Sequence, residues 1–121
     1  MGSKSKKTNP NLVLLIQRLK DVSRENEAPV WRDIALRLEA SAKSWAEVNV
    51  GKLNRYASEG EIVVVPGKLL GAGDIAKKVT VAAYRSSGQA REKIEKAGGK
   101  SVSIEELVAL NPKGSKVRIM G

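Results

Sequence analysis

Leu12, Leu15, Ile16, Leu19 and Val22 recur at three- and four-residue intervals, which places them on one face of a helix. Asn9 and Pro10 stand just ahead of that stripe as an N-cap and a first helical residue, and the helix is expected to end near Asn26. A second helix is predicted from Pro29, with Trp31, Ile34, Ala35 and Leu38 on its apolar face and Arg32, Asp33, Arg37 and Glu39 elsewhere. A third, shorter one should follow Asn49, run through Leu53 and Tyr56, and stop at Gly60. Ahead of all three, Met1 to Thr8 carries three lysines and nothing to pack, and reads as a flexible basic tail.

At Glu61 the pattern changes. Ile62-Val63-Val64-Val65 is a β-branched run of strand length, closed by Pro66-Gly67, and a glycine-rich stretch follows as far as Gly73. Val79 to Tyr84 predicts a second strand. Ser86 and Gln89 form a capping-box pair for a helix bearing Ala90, Ile94 and Ala97, which Gly98-Gly99 should stop. Ser103 and Glu106 form another, opening a short helix through Leu107 and Val108 that Asn111-Pro112 ends, and Val117 to Met120 predicts a last strand. Strands and helices thus alternate through 61–121, whereas 9–60 reads as helical. The expectation is α/β class: one globular domain over 9–121, with a helical part 9–60 and an α/β part 61–121, behind the tail 1–8. No internal repeat or linker divides it.

Composition narrows the chemistry. A chain of 121 residues with 41% apolar side chains can bury one core, and with 3% aromatics and no Phe that core must be aliphatic. There is no Cys and no His, which removes thiolate nucleophiles, disulfides, cysteine zinc sites and the side chain most used for acid–base work near neutral pH. No enzyme activity, metal, cofactor or small-molecule substrate is therefore expected. Lys and Arg number 22 against 13 Asp and Glu, a net charge of +9, which calls for a polyanionic partner. An anionic membrane is the weaker choice: the longest uninterrupted aliphatic run, Leu12 to Ile16, falls far short of the roughly 20 residues of a spanning helix, and Lys6 stands where a myristoylation signal needs Ser or Thr. No membrane partner is expected, and the cytoplasm is the expected location.

Two strings resemble nucleotide-binding motifs and fail on context. Gly99-Lys100-Ser101 looks like the end of a phosphate-binding loop, but the glycine required five positions earlier is Ile94; a helix stop and a polar strand entry explain it better. Gly71-Ala72-Gly73-Asp74-Ile75-Ala76 matches the dinucleotide string, yet Pro66 to Leu70 separate it from the predicted strand and a β-rich run follows instead of a helix. Glu105 and Glu106 are adjacent, so they suit a helix N-terminus and not a catalytic pair. Trp31 lies on an apolar helical face and belongs to the core, while Trp45, at a helix end, suits either packing or base stacking.

The surplus positive charge lies on ends, glycine-rich turns and strand termini, while Glu92 and Lys96 are spaced to support a helix. The residues expected to neutralise phosphates are Lys4, Lys6, Lys7, Lys52, Arg55, Lys68, Lys77, Lys78, Arg85, Lys113, Lys116 and Arg118. Asn54 would add a hydrogen bond, and Gly71 and Gly73 would let backbone approach a phosphate closely. With no aromatic-rich strand to read bases, recognition by shape and phosphate is expected.

The stretch Ile62 to Asp74, then Lys78 to Tyr84, then Ala90 to Lys100, resembles large-subunit ribosomal protein eighteen-e, and is also similar to the C-terminal part of bacterial large-subunit ribosomal protein fifteen. The ending around Asn111-Pro112-Lys113-Gly114 looks like the short archaeal form, without the basic extension of eukaryotic forms. The resemblance implies an irregular β-β-α superhelical core behind a helical N-terminal region. It further implies a structural role binding large-subunit ribosomal RNA, with neighbouring proteins such as four and fifteen of that subunit. Lys68, Gly71 and Gly73 match its glycine-rich loop, and Arg91, Gly98, Gly99 and Lys100 its helix and stop. A free-standing basic DNA-binding protein is the alternative, and a small nucleotide-binding enzyme using Gly71 to Ala76 the least favoured reading.

Overall fold

The computed structural model describes residues 9–121; the expected tail 1–8, with Lys4, Lys6 and Lys7, lies outside them. Helix α1 spans Pro10–Asn26, its first turn capped by the Asn9 side chain, which accepts from the Asn11 amide. Helix α2 spans Pro29–Glu39, again with proline in its first turn. Strand β1 (Ala46–Asn49) follows a short 3-10 turn, Ala42–Ser44, and leads into helix α3 (Val50–Tyr56). Then come β2 (Ile62–Leu70), β3 (Thr80–Ser86), α4 (Gly88–Lys96), β4 (Lys100–Ser103), α5 (Ile104–Leu110) and β5 (Val117–Ile119). The class is α/β with a helical N-terminal region, as expected, and the succession β2-β3-α4 supplies a β-β-α order.

The five strands form one wholly parallel sheet in which β2 is central. β3 lies on one edge of β2 and passes the ladder on to β4. On the other edge β5 pairs with Ile62–Val64 and β1 with Gly67–Leu70, so two short strands lie end to end along one long one. Parallel strands need covering on both faces, and alternation along β2 sends side chains to two cores. Val64 and Ala82 pack under α1, α2 and α5 with Leu19, Trp31, Ile34, Leu38, Ile104 and Leu107. Val63, Val65, Val81 and Ala83 pack under α3 and α4 with Val50, Leu53, Ala90 and Ile94. Trp31 is fully buried, as its apolar face predicts, and its indole N–H donates to the Pro112 carbonyl at 2.8 Å. No helix among the described residues is long and apolar enough to cross a membrane.

Four local expectations change. Pro66-Gly67 does not close β2, which continues to Leu70 through a register irregularity between Val65 and Lys68. Proline is tolerated at such a bulge because its missing N–H is not needed there, and Gly67 lets the β1 backbone approach so closely that a Cβ would lie 2.2 Å from the Ala46 carbonyl oxygen. Strand β1 is an element that the helical reading of 9–60 leaves out. Ser86 remains in the β3 ladder opposite Leu69, so the cap of α4 is Ser87, whose hydroxyl accepts from the Ala90 amide at 3.1 Å. Glu92 and Lys96 form no ion pair; among the described residues the pairs are Lys20–Glu39, Arg24–Asp21, Arg37–Asp33 and Arg118–Glu61. The Ser103–Glu106 capping box is present in full, and Gly98 has the left-handed φ (+90°) that the helix stop requires.

The segment joining β2 to β3 contains no helix and is held by side chains from other elements. Lys93 of α4 donates from Nζ to the Gly71 carbonyl at 2.8 Å and also to the Gly73 carbonyl. Asn49 accepts from the Ala72 amide and Asn54 from the Ala76 amide, while the Gly51 amide donates to the Ala72 carbonyl. Gly71 and Gly73 are close-approach positions against the protein itself: a Cβ on Gly71 would meet the Gln89 side chain, and one on Gly73 the Gly51 backbone at 2.8 Å.

Two stability measurements check this account. Gly67→Ala should cost about 2–3 kcal/mol in urea denaturation through overlap with Ala46, whereas Gly88→Ala, with nothing within 4 Å of its new methyl, should be neutral or stabilising; equal effects would refute the close-approach role of Gly67. Lys93→Met should lower stability by about 1–2 kcal/mol and speed hydrogen exchange at the Ala72 and Ala76 amides. Unchanged protection there would mean that the ammonium does not hold the segment.

Candidate nucleic-acid interface

Strand polarity decides where the cations go. All five strands point the same way, so β2, β3 and β4 end on one side of the sheet, and α3, α4 and α5 run back to the other. Lys68 and Arg85 lie at the carboxyl ends of β2 and β3, as direct partners in register, and both are exposed. Arg91, in the first half of α4, joins them around an open cleft of about 520 Å³ that Ser86, Ser87, Ser101, Ser103 and Glu106 also line. The Arg85 guanidinium sits over the Tyr84 ring, 5.6 Å from its centroid. A second hollow, of about 320 Å³, shares Lys68, Tyr84 and Arg85 with the first and extends to Asn9 and Trp45.

Arg55, Lys77, Lys78, Lys113, Lys116 and Arg118 belong to the opposite end, with the C-termini of α3, α4 and α5 and the start of β5. Several of them already have work inside the fold. Lys77 is half-buried and donates to the Ala57 carbonyl at 2.7 Å, next to the last turn of α3. Arg118 donates to the Tyr56 carbonyl and pairs with Glu61. The stem of Lys78 lies against Gly98, at the end of α4. Arg55 rests on the ring of exposed Tyr56, its guanidinium carbon 5.9 Å from the centroid. Lys113 and Lys116 are exposed in the turn before β5, where Lys116 has a left-handed φ of 59°. Lys52, near the start of α3, is also exposed. The site residues read from the sequence therefore fall into two groups on opposite ends of the sheet, not one face.

Asn54, Gly71 and Gly73 are spent on the β2–β3 connection, with the Asn54 side-chain oxygen and both glycine carbonyls already accepting hydrogen bonds. The dinucleotide-like string does follow a strand directly, because β2 runs to Leu70, but no helix comes after it and its Ala72 and Ala76 amides are taken by Asn49 and Asn54. Trp45 serves packing: its indole N–H is directed at the Leu38 and Ala40 carbonyls, and its ring meets Tyr84 edge-on at 5.2 Å. Two residues absent from the expected set matter here, Arg91 in the cleft and Lys93 behind it. Their i, i+2 spacing on a helix says nothing by itself about which one turns inward; only the position of the β2–β3 connection decides that. Among the described residues no group of carboxylates forms a metal site.

Charge pairing is uneven. Three of the four ion pairs among the described residues tie cations of α1 and α2 to carboxylates of those helices. Of the described cations expected at the interface, only Arg118 has a carboxylate partner. Of the remainder, Lys77 is half-buried against the Ala57 carbonyl, and the others are exposed without an ion pair.

Comparison with known proteins is consistent along nearly the whole chain. A family model described as ribosomal protein 60S L18 and 50S L18e matches residues 2–121. The large ribosomal subunit protein eL18 of Methanosphaerula palustris is 57% identical over 120 residues, 99% of either chain. That of Methanospirillum hungatei is 54% identical over the same span and coverage, and that of Archaeoglobus fulgidus 54% identical over 115 residues, 95% of this chain and 98% of its own. With the family model spanning the fold from tail to last strand and these archaeal relatives more than half identical, the chain belongs to the family of ribosomal proteins 60S L18 and 50S L18e.

Proposed function

We propose that the protein is a non-catalytic structural constituent of the large ribosomal subunit, acting in the cytoplasm, and that it binds folded ribosomal RNA by phosphate and shape contacts. Family membership supports the ribosomal role. The observation that carries the RNA contact is the segregation of charge. Three of the five cations of the N-terminal helices, Lys20, Arg24 and Arg37, are paired with carboxylates, while Lys52, Arg55, Lys68, Lys78, Arg85, Lys113 and Lys116 stand without carboxylate partners at the two ends of the sheet. Like charges left together raise the energy of the folded state, and a polyanion relieves it. Cations at two ends suit a protein lying between packed parts of a folded RNA, with phosphates meeting each end. Lys4, Lys6 and Lys7 would add reach to the same contacts. Protein neighbours in the subunit are part of this reading, proteins four and fifteen being those the resemblance implies.

The test is a filter-binding titration of the purified chain with large-subunit ribosomal RNA. If six phosphate contacts form on duplex-like RNA, log affinity should fall with log salt at a slope of about −5. A slope near zero would defeat the proposal. At fixed salt, duplex DNA should compete poorly; competition equal to that of ribosomal RNA would point to a general DNA binder instead.

A further inference from the structure

We infer that the groove at the carboxyl ends of β2, β3 and β4 seats the phosphates of an unpaired RNA segment, such as a bulge or loop, and not a duplex backbone. The inference rests on the RNA-binding reading above and assigns one part of that surface a distinct ligand. The carboxyl ends of β2, β3 and β4 frame a crevice with the first turns of α4 and α5. Here that crevice is about 520 Å³ and continues past Lys68 and Arg85 into the adjoining hollow of about 320 Å³.

Its charge points to an anion. Lys68 and Arg85 are neighbours in register on adjacent strands, where like charges destabilise, and Arg91 adds a third cation to the same lining. None of the three has a carboxylate within ion-pair distance among the described residues. The lining also contains the carboxylate of Glu106, which accepts from the Ser103 amide at 2.9 Å in the α5 cap, so its single negative charge stands against the three cations. The hydroxyl of Ser87 accepts from a backbone amide, which leaves its own proton to donate. The groove thus offers cations and hydroxyl donors, the groups that bind phosphate oxygens.

Its shape separates the two kinds of RNA. A duplex presents a stiff, convex backbone, whereas an unpaired segment can bend into a concave path and place successive phosphates along it. Tyr84, at the junction of the two hollows, is covered by Arg85 and met edge-on by Trp45. The groove is therefore built for the backbone of the strand more than for its bases.

The experiment compares two hairpin RNAs, one with a bulge of a few unpaired nucleotides in its stem and one fully paired, by filter binding to the full chain. The wild type should prefer the bulged hairpin by roughly tenfold, because only the unpaired segment enters the groove and adds contacts to Lys68, Arg85 and Arg91. Lys68→Met, Arg85→Gln and Arg91→Gln combined should abolish that preference, lowering affinity for the bulged hairpin by roughly tenfold more than affinity for the paired one. Lys113→Met with Lys116→Met, at the other end of the sheet, should keep the preference. All three groove cations are exposed; should the combined variant still fail to fold, each single change should lose part of the preference. Adenosine 5′-monophosphate at millimolar concentration should not displace the bulged hairpin, and efficient displacement would mean a site for free nucleotides and overturn the assignment. Equal wild-type affinity for both hairpins would also overturn it while leaving the general RNA-binding reading intact. Binding to neither hairpin nor ribosomal RNA would remove both.

Discussion

Strand β2 must be paired along both edges and covered on both faces, and that requirement organises the molecule. A buried parallel strand cannot leave its amides and carbonyls without partners. β3 satisfies one edge of the nine-residue β2, but the other is shared between four-residue β1 and three-residue β5. End-to-end sharing works because the main chain comes unusually close around Ala46. Gly67 approaches its backbone from β2, and Gly121, beyond β5, sits where a Cβ would fall 2.3 Å from the Ala46 methyl. The helical N-terminal region is thereby tied to the rest by β1 as well as by its apolar stripes. Strand alternation divides β2 between cores, with Val64 under α1, α2 and α5 and Val63 and Val65 under α3 and α4.

Once the sheet is parallel, the placement of charge follows. Each strand end and each returning helix has a defined side, so Lys68, Arg85 and Arg91 collect at one end and Arg55, Lys113 and Lys116 at the other. None of these six cations forms an ion pair with a carboxylate among the described residues. The N-terminal helices differ in degree: their ion pairs are exposed and contribute little to stability, but they cancel three of the five cations there. A protein that lacks His and Cys, and whose cations remain unmatched at the ends of its sheet, is suited to holding a polyanion in place. It has little with which to transform one.

The glycine-rich connection shows how the same residues can carry a different meaning in three dimensions. Gly71 and Gly73 invite a phosphate in sequence, yet their absent side chains are filled by Gln89 and by the Gly51 backbone, and their carbonyls accept from Lys93. The connection joins two neighbouring parallel strands without a covering helix, so its polar backbone needs partners from elsewhere, and Asn49, Asn54 and Lys93 supply them. Fixing this segment fixes the end of β2, and with it the position of Lys68 relative to Arg85.

Sequence periodicity alone determined the apolar faces of α1 and α2, the burial of Trp31, the β-branched start of β2, the Ser103–Glu106 cap and the glycine stop after α4. Each of these depends on neighbours within one turn or one strand. The net positive charge and the absence of His and Cys were likewise legible, since they require no coordinates. Tertiary structure decided the rest. β1 has only Val48 as a buried apolar anchor and becomes a strand because the edge of β2 is open to it. Pro66-Gly67 continues a strand because Ala46 lies alongside, and Ser87 caps α4 because Ser86 is held in the ladder. Which cations converge, and which are consumed by carbonyls, depends on strand polarity and on contacts between residues far apart in the chain, which a local pattern does not encode.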